Sequence, residues 1–272
     1  MNAIAIHERP GSHVTAWADT ATMFRRQLRH MARYPSLTFF VVGMPVVFLL
    51  LFVTVFGGAI GAGLGQGSDG RDAYLEYLVP GILVMTITGV VQGTAIAVAM
   101  DMTGGIVARF RTMSISRSAV LAGHVLGSMA QALLALAIVV AVAVLLGFRT
   151  TTGPIEWLAA LGILVLTTVA LTWLAVALAM AVDNVESASN VGMPLVLLPF
   201  LGSGFVPTSS MPGPVRVFAD YQPFTPIMET IRALLTGGTI GANGPLAVAW
   251  CVAIVGLSYV WAMRLYEGHS VH

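Results

Sequence analysis

The groups that could do covalent or metal chemistry are few in this 272-residue sequence: six histidines, twelve carboxylates and one cysteine, Cys251. A single thiol forms no internal disulfide and no four-cysteine zinc or iron–sulfur site. Cys251 stands in an apolar run, where a small buried hydrophobe is the expected role. All 13 basic residues are Arg, so no Lys is available for the phosphates of a nucleotide-hydrolysing P-loop. Residues 57–70 hold seven glycines without the strand–GxGxxG–helix setting of a nucleotide site, and read as a flexible loop. No catalytic residue and no metal site follows. The residues that could guide a solute are neutral: Thr86, Thr88, Gln92, Gln131, Thr168, Thr172 and Asn190. Each can tie neighbouring helices together or line a path for an amphipathic solute. Gln92 and Asn190 are the first path candidates, with Pro194 and Pro199, whose freed backbone carbonyls must find partners or line a cavity.

The elements that position these residues are set by composition. Hydrophobic residues make up 57% and charged residues 9%, against about 45–50% and about 25% in soluble globular domains. The net charge of +1 offers no basic excess for nucleic acid, and the apolar excess excludes a disordered chain. An integral membrane protein remains. A membrane helix needs about 20 mostly apolar residues. Stretches free of charge give six: Leu37–Ile60, Leu78–Met100, Val120–Phe148, Trp157–Val182, Ala188–Val206 and Pro245–Met263. Such long runs exclude the short alternating segments of a β-barrel. The expected fold is all-α, with residues 1–35 as an N-terminal segment and 36–272 as the six-span domain. The first 35 residues carry no early apolar core or cleavage site, so no signal peptide is expected.

An even number of spans puts both ends on one side. That side would hold Arg9, Arg25, Arg26, Arg29, Arg33, Arg109, Arg111, Arg117 and Arg264; the other would hold only Arg71, Arg149, Arg216 and Arg232. The positive-inside rule then predicts cytoplasmic termini in the cell membrane. Only His124 brings a titratable group close to a span interior, whereas ion-coupled carriers commonly place a carboxylate or a broken-helix ion site at the midplane. Residues 15–34 read as an interfacial helix: Trp17, Ala21, Phe24, Leu28 and Met31 form one stripe, with Arg25, Arg29 and Arg33 on another face. Packing on protein is the alternative. The loop 101–117 is the most charged internal one, with Gly104 and Gly105 for a turn; a solvated loop obeying the charge rule accounts for it on residues alone.

The fifth span is interrupted by Gly192, Pro194, Pro199, Gly202 and Gly204, so a straight helix is not expected. Beyond it, Pro214–Tyr221 and Pro226–Leu235 read as two short helices on the outer side, re-entering or resting on the membrane. Thr225 is the expected N-cap of the second, Pro226 its first residue and Gly237 its terminator. Glu229 and Arg232, one turn apart, are expected to pair.

Three stretches resemble the permease subunits of ABC-2 type transporters of the daunorubicin-resistance kind found in actinomycetes. They are Gly105-Ile-Val-Ala-Arg109-Phe110-Arg111 through Arg117 to His124; Phe205-Val-Pro207 with Met211-Pro212; and Gln222-Pro223-Phe224-Thr225-Pro226 with Glu229, Arg232 and Gly237. Ser114 departs from the Pro common there. The resemblance implies a dimer, with a second copy or a related permease, and two copies of a separate ATP-binding subunit. ATP and Mg would sit on that partner, and this chain would bind no cofactor. Arg25, Arg26 and Arg29 of the interfacial helix and Gly105, Arg109, Phe110, Arg111 and Arg117 of the loop would meet the ATPase. Spans two and five, with Gln92, Asn190, Pro194 and Pro199, would flank the path at the dimer axis. Phe218, Gln222, Pro223, Pro226, Glu229 and Arg232 would belong to an external re-entrant helix pair.

The implied function is a membrane subunit of an ATP-driven exporter for bulky amphipathic compounds, a drug or a lipid. Membrane lipid would be a partner and nucleic acid would not. Rival readings are a polysaccharide or wall-polymer exporter, a secondary carrier and a membrane assembly factor. The polymer reading would favour stacked rings along the path, and Phe and Trp scatter along the sequence without a stripe.

Overall fold

The structure is a computed structural model that describes residue 25 and residues 35–59, 70–103, 117–182 and 184–268. Every regular element among them is a helix. In chain order these are α1 (Pro35–Leu51), α2 (Gly70–Thr103), α3 (Arg117–Leu145), α4 (Pro154–Met180), α5 (Val185–Leu197), α6 (Gly213–Tyr221), α7 (Phe224–Thr236) and α8 (Asn243–Gly268). Five stretches are long and apolar enough to cross a membrane: Val41–Ala59, Gly70–Thr103, Ala122–Leu145, Pro154–Met180 and Asn243–Leu265. The expected fifth span is instead the shorter apolar helix Val185–Leu201.

Its brevity has a local cause. Pro194 lies inside α5, and Pro199 lies in the tighter 3₁₀ turn Leu198–Leu201 that follows. A proline removes an N–H from the ladder and crowds the preceding turn. At Gly202 the backbone becomes extended. Thirteen α-helical and four 3₁₀ residues give a rod of roughly 25–30 Å, at or just short of the hydrocarbon thickness of about 30 Å. The N-terminal end is well made: Asn184 Oδ1 accepts the Ser187 N–H at 2.7 Å.

α2 is the centre of the molecule. Its most apolar window is 72% buried, against 22% for α8. It packs on α1, α3, α4, α5 and α7, which is why it is apolar on all sides rather than on one stripe. α4 and α8 form the other main contact, fastened by the edge-on rings of Trp173 and Tyr259. α1 carries Pro45 and relaxes into a π turn at Phe52–Phe56, the kind of bulge that an extra residue forces into a helix.

The two short helices differ. α7 buries Phe224, Ile227, Met228, Ile231, Leu234 and Leu235 against α2, α4 and α8. α6 buries only Ala219 and leaves Val215, Val217, Phe218 and Tyr221 exposed. The expected N-cap is corrected: α7 starts at Phe224 after Pro223, with no side-chain cap. Thr225 Oγ1 donates to Ala219 O at 2.6 Å instead. It satisfies a carbonyl left open in the last turn of α6, a need the sequence pattern of α7 alone does not display. Pro226 therefore stands third in α7, still among the positions whose N–H has no helical partner. Gly237 ends α7 as expected, in the left-handed region at φ 77°.

Candidate functional site

The most elaborate polar constellation lies where residues 202–206 run beside the first turns of α2. This backbone is not helical, so its carbonyls need partners supplied by the protein. Tyr77 donates its hydroxyl to Ser203 O at 2.7 Å, and Tyr74 donates to Phe205 O at 3.3 Å. Arg232 donates from Nη2 to Ser203 O at 2.7 Å and to Tyr77 O at 3.1 Å. Its guanidinium lies over the Tyr77 ring, 3.8 Å from the centroid, and pairs with Glu229. The expected Glu229–Arg232 pair is present, yet it is only one arm of a clamp joining α2, α7 and the 202–206 segment. The planar fork suits this: Arg presents several donors at fixed angles, which Lys does not. Gly81 on α2 and Gly204 touch so closely that a Cβ on Gly81 would collide with Gly204 backbone.

Beside the clamp lie polar atoms without partners among the described residues. Gln222 is buried, and neither its amide nitrogen nor its oxygen is hydrogen-bonded; the same holds for Ser203 Oγ. On the other side five phenylalanines gather. Phe200 and Phe205 stack at 4.5 Å, Phe52 lies 5.2 Å from Phe205, and Phe48 lies 5.7 Å from Phe200. Phe56 continues the series 5.4 Å from Phe52. Five of the rings that scatter in sequence thus form one cluster between the first helical segment and the end of α5. Spacing of four from Phe48 through Phe52 to Phe56 was the available signal; Phe200 and Phe205 carried none.

The path candidates divide. Gln92 bridges α2 and α5, donating to Ser189 O at 2.7 Å. Gly192 makes room, since a Cβ there would overlap Gln92 Oε1, which has no hydrogen-bond partner among the described residues. Asn190 and Pro194 are exposed, whereas Pro199 is buried. Thr86, Thr88 and Thr168 donate to carbonyls of their own helices, and Thr172 meets Ser128 of α3 at 3.2 Å. Of these four, Thr172 ties one helix to another. Cys251 is buried beside Thr167, as expected of a small hydrophobe.

Two further regions complete the survey. A cavity of about 190 Å³ between α2, α3, α4 and α7 is lined by Leu83, Leu136, Trp157, Leu164 and other hydrophobic residues. It offers no polar group to orient a ligand, unlike most recognition sites. At the far end of α2, His124 of α3 meets Asp101, Nε2 to Oδ2 at 3.1 Å. Of the residues expected at an ATPase contact, Arg25 is helical and exposed, and Arg117 opens α3. Arg26, Arg29, Gly105, Arg109, Phe110 and Arg111 lie outside the described residues, as does the rest of the expected interfacial helix.

Residues 19–236 match the ABC-2 type transporter family. The chain belongs to that family. It is 31% identical over 267 residues to a daunorubicin resistance ABC transporter permease protein of Streptomyces coeruleorubidus, covering 97% of this chain and 91% of the relative. It is 24% identical over 264 residues to a probable doxorubicin resistance ABC transporter permease protein of Mycobacterium tuberculosis, covering 96% and 92%. This ABC-2 protein is thus a multi-pass membrane permease, a transport subunit of a family that in general works with an ATP-binding ABC subunit. Membership in the family sets aside a secondary carrier of another kind.

Proposed function

We propose that the chain is the permease half-channel of an ATP-driven exporter that carries bulky amphipathic compounds, a drug or a lipid, out of the cell. The observation that carries this is the 31% identity, spanning 97% of the chain, to a permease named for daunorubicin resistance. Both termini would be cytoplasmic. Six crossings would be completed by Val185–Leu201 with the 202–206 segment, whose carbonyls Tyr74, Tyr77 and Arg232 satisfy. α6 and α7 would be the external re-entrant pair; the burial of α7 against three helices supports its insertion. Two such chains would face each other across α2 and α5, and two ATPase subunits would dock on the 15–34 helix and on residues 104–116. The gathered phenylalanines favour cargo with flat, apolar faces, since rings prefer offset or edge contacts with other rings. They equally suit sugar rings, so a polymer exporter is the second reading.

Co-purification tests the proposal. The full chain, expressed with its ATPase, should retain that subunit, and an Arg109→Ala/Arg111→Ala variant should lose both the subunit and transport. A chain that never holds an ATPase, with transport intact in the double variant, would sink it.

A further inference from the structure

The apolar cavity between α2, α3, α4 and α7 has no part in the path proposed above. Its lining takes nothing from α1 or α5, which border the phenylalanine cluster and the Gln92 bridge. It reaches the surface on one side. Leu133 of α3 and Leu161 of α4 line it and are 38% and 43% exposed, so its mouth lies between two membrane-spanning helices. Behind the mouth, Leu83, Leu136, Ala160 and Leu164 are buried and form its floor.

The depth of the cavity follows from the helix rise. On α3 the lining falls within residues 133–140, roughly 7–18 Å from the end at Leu145. On α4 it falls within residues 157–164, roughly 4–15 Å from the start at Pro154. Both place it in one leaflet of a hydrocarbon core about 30 Å thick, the leaflet at the α3–α4 turn. An apolar cavity of about 150 Å³ stays dry and takes benzene. By that scale about 190 Å³ suits roughly seven or eight hydrocarbon carbons, and the molecules that face a mouth between two spans are lipids.

The α3–α4 turn is built rather than loose. Gly147 adopts φ 110°, Phe148 is buried, and the Phe148 N–H donates to Ala143 O at 2.9 Å. These contacts fix where the exposed Arg149 leaves the turn. Trp157, which lines the cavity, donates its indole N–H to Thr150 Oγ1 at 3.2 Å, as a ring at the membrane interface does, with one apolar face and one polar edge. We propose that the cavity holds one acyl chain of a phospholipid from this leaflet, with the headgroup phosphate at Arg149. Arg suits phosphate because it presents several N–H donors in one plane. The lipid is a resident ligand and not the cargo.

The test reconstitutes the full chain in phosphatidylcholine vesicles with a trace of phosphatidylcholine that carries a diazirine midway along one acyl chain. Labelled residues are read by mass spectrometry after irradiation. Leu257 and Val260 of α8, 74% and 48% exposed, report ordinary contact with the bilayer. Leu136, Ala160 and Leu164 are buried and should nevertheless carry at least as much label. Ala137→Phe, at an exposed position in the lining, fills the mouth and should cut the cavity label at least about fivefold while α8 keeps its label. Arg149→Gln should cut it about threefold, as expected for an exposed ionic contact. Label confined to exposed residues in the wild-type chain would overturn the site without any variant. So would cavity label that ignores Ala137→Phe. Displacement of the label by a fluorescent amphipathic compound would make the cavity a cargo site and overturn the resident lipid. Cavity label unchanged in Arg149→Gln would overturn the phosphate contact.

Discussion

Arg232 carries more of the structure than its sequence neighbourhood indicates. One turn from Glu229 it reads as half of a surface pair, a contact worth at most about 1 kcal/mol. In the fold it is 13% exposed and donates to two backbone carbonyls on two other segments. Hydrogen bonds from a charged donor contribute about 1.5–3 kcal/mol each, although Ser203 O would keep the Tyr77 hydroxyl. Arg232→Ala should lower the thermal midpoint in detergent by several degrees, and Arg232→Lys should recover only part of it. An unchanged midpoint in Arg232→Ala would show that the clamp is dispensable. Gln92 is the second case. Gly192→Ala should destabilise by forcing the Gln92 side chain off Ser189 O, whereas Gln92→Ala/Gly192→Ala should be closer to wild type. A coupling of about 1 kcal/mol is expected for such a touching pair; additive midpoints would refute the contact.

The spans were legible because charge marks their ends: α2 and α8 contain the apolar runs read from sequence, whereas α3 and α4 start three residues earlier than expected and stop short of Phe148 and Val182. The breakdown of the fifth was legible in Pro194 and Pro199, but where its backbone goes next was not. That depends on Tyr74 and Tyr77, about 130 residues away, whose hydroxyls find Phe205 O and Ser203 O. Two tyrosines one turn apart near a helix start were the faint signal. Thr225 shows the same limit, since its oxygen serves α6 rather than its own helix. Glycines make the point within a single helix. Gly89 and Gly93 form the GxxxG spacing, yet a Cβ at either meets nothing within 4 Å among the described residues, whereas Gly81, outside the motif, abuts Gly204. Gly81→Val should abolish transport and impair folding through displacement of residues 202–206, while Gly89→Ala should not disturb the fold of the single chain. Equal tolerance at both sites, read by size-exclusion profile and transport, would contradict the packing described.

At the scale of the whole molecule, the described interior holds charged side chains only toward its two ends: Arg232 and Glu229 beside the 202–206 segment, Asp101 and His124 beside residues 104–116. The middle is tied by neutral groups such as Gln92 and Thr172. The described residues show no chain of ionisable groups along the bundle, and the sequence has no Lys for a P-loop; both fit a permease whose family in general works with an ATP-binding ABC subunit. Topology follows from the arginine bias: in a Cys251→Ser background, a cysteine at Thr152 should react with an impermeant maleimide from outside intact cells, and one at Ser116 only after permeabilisation. The reverse pattern would invert the orientation. The most direct test of the account is transport by the reconstituted chain and its ATPase in inside-out vesicles. Uptake of an amphipathic fluorescent compound should require ATP and the ATPase and persist with an uncoupler. Uptake that continues without ATP and collapses with the uncoupler would contradict the account.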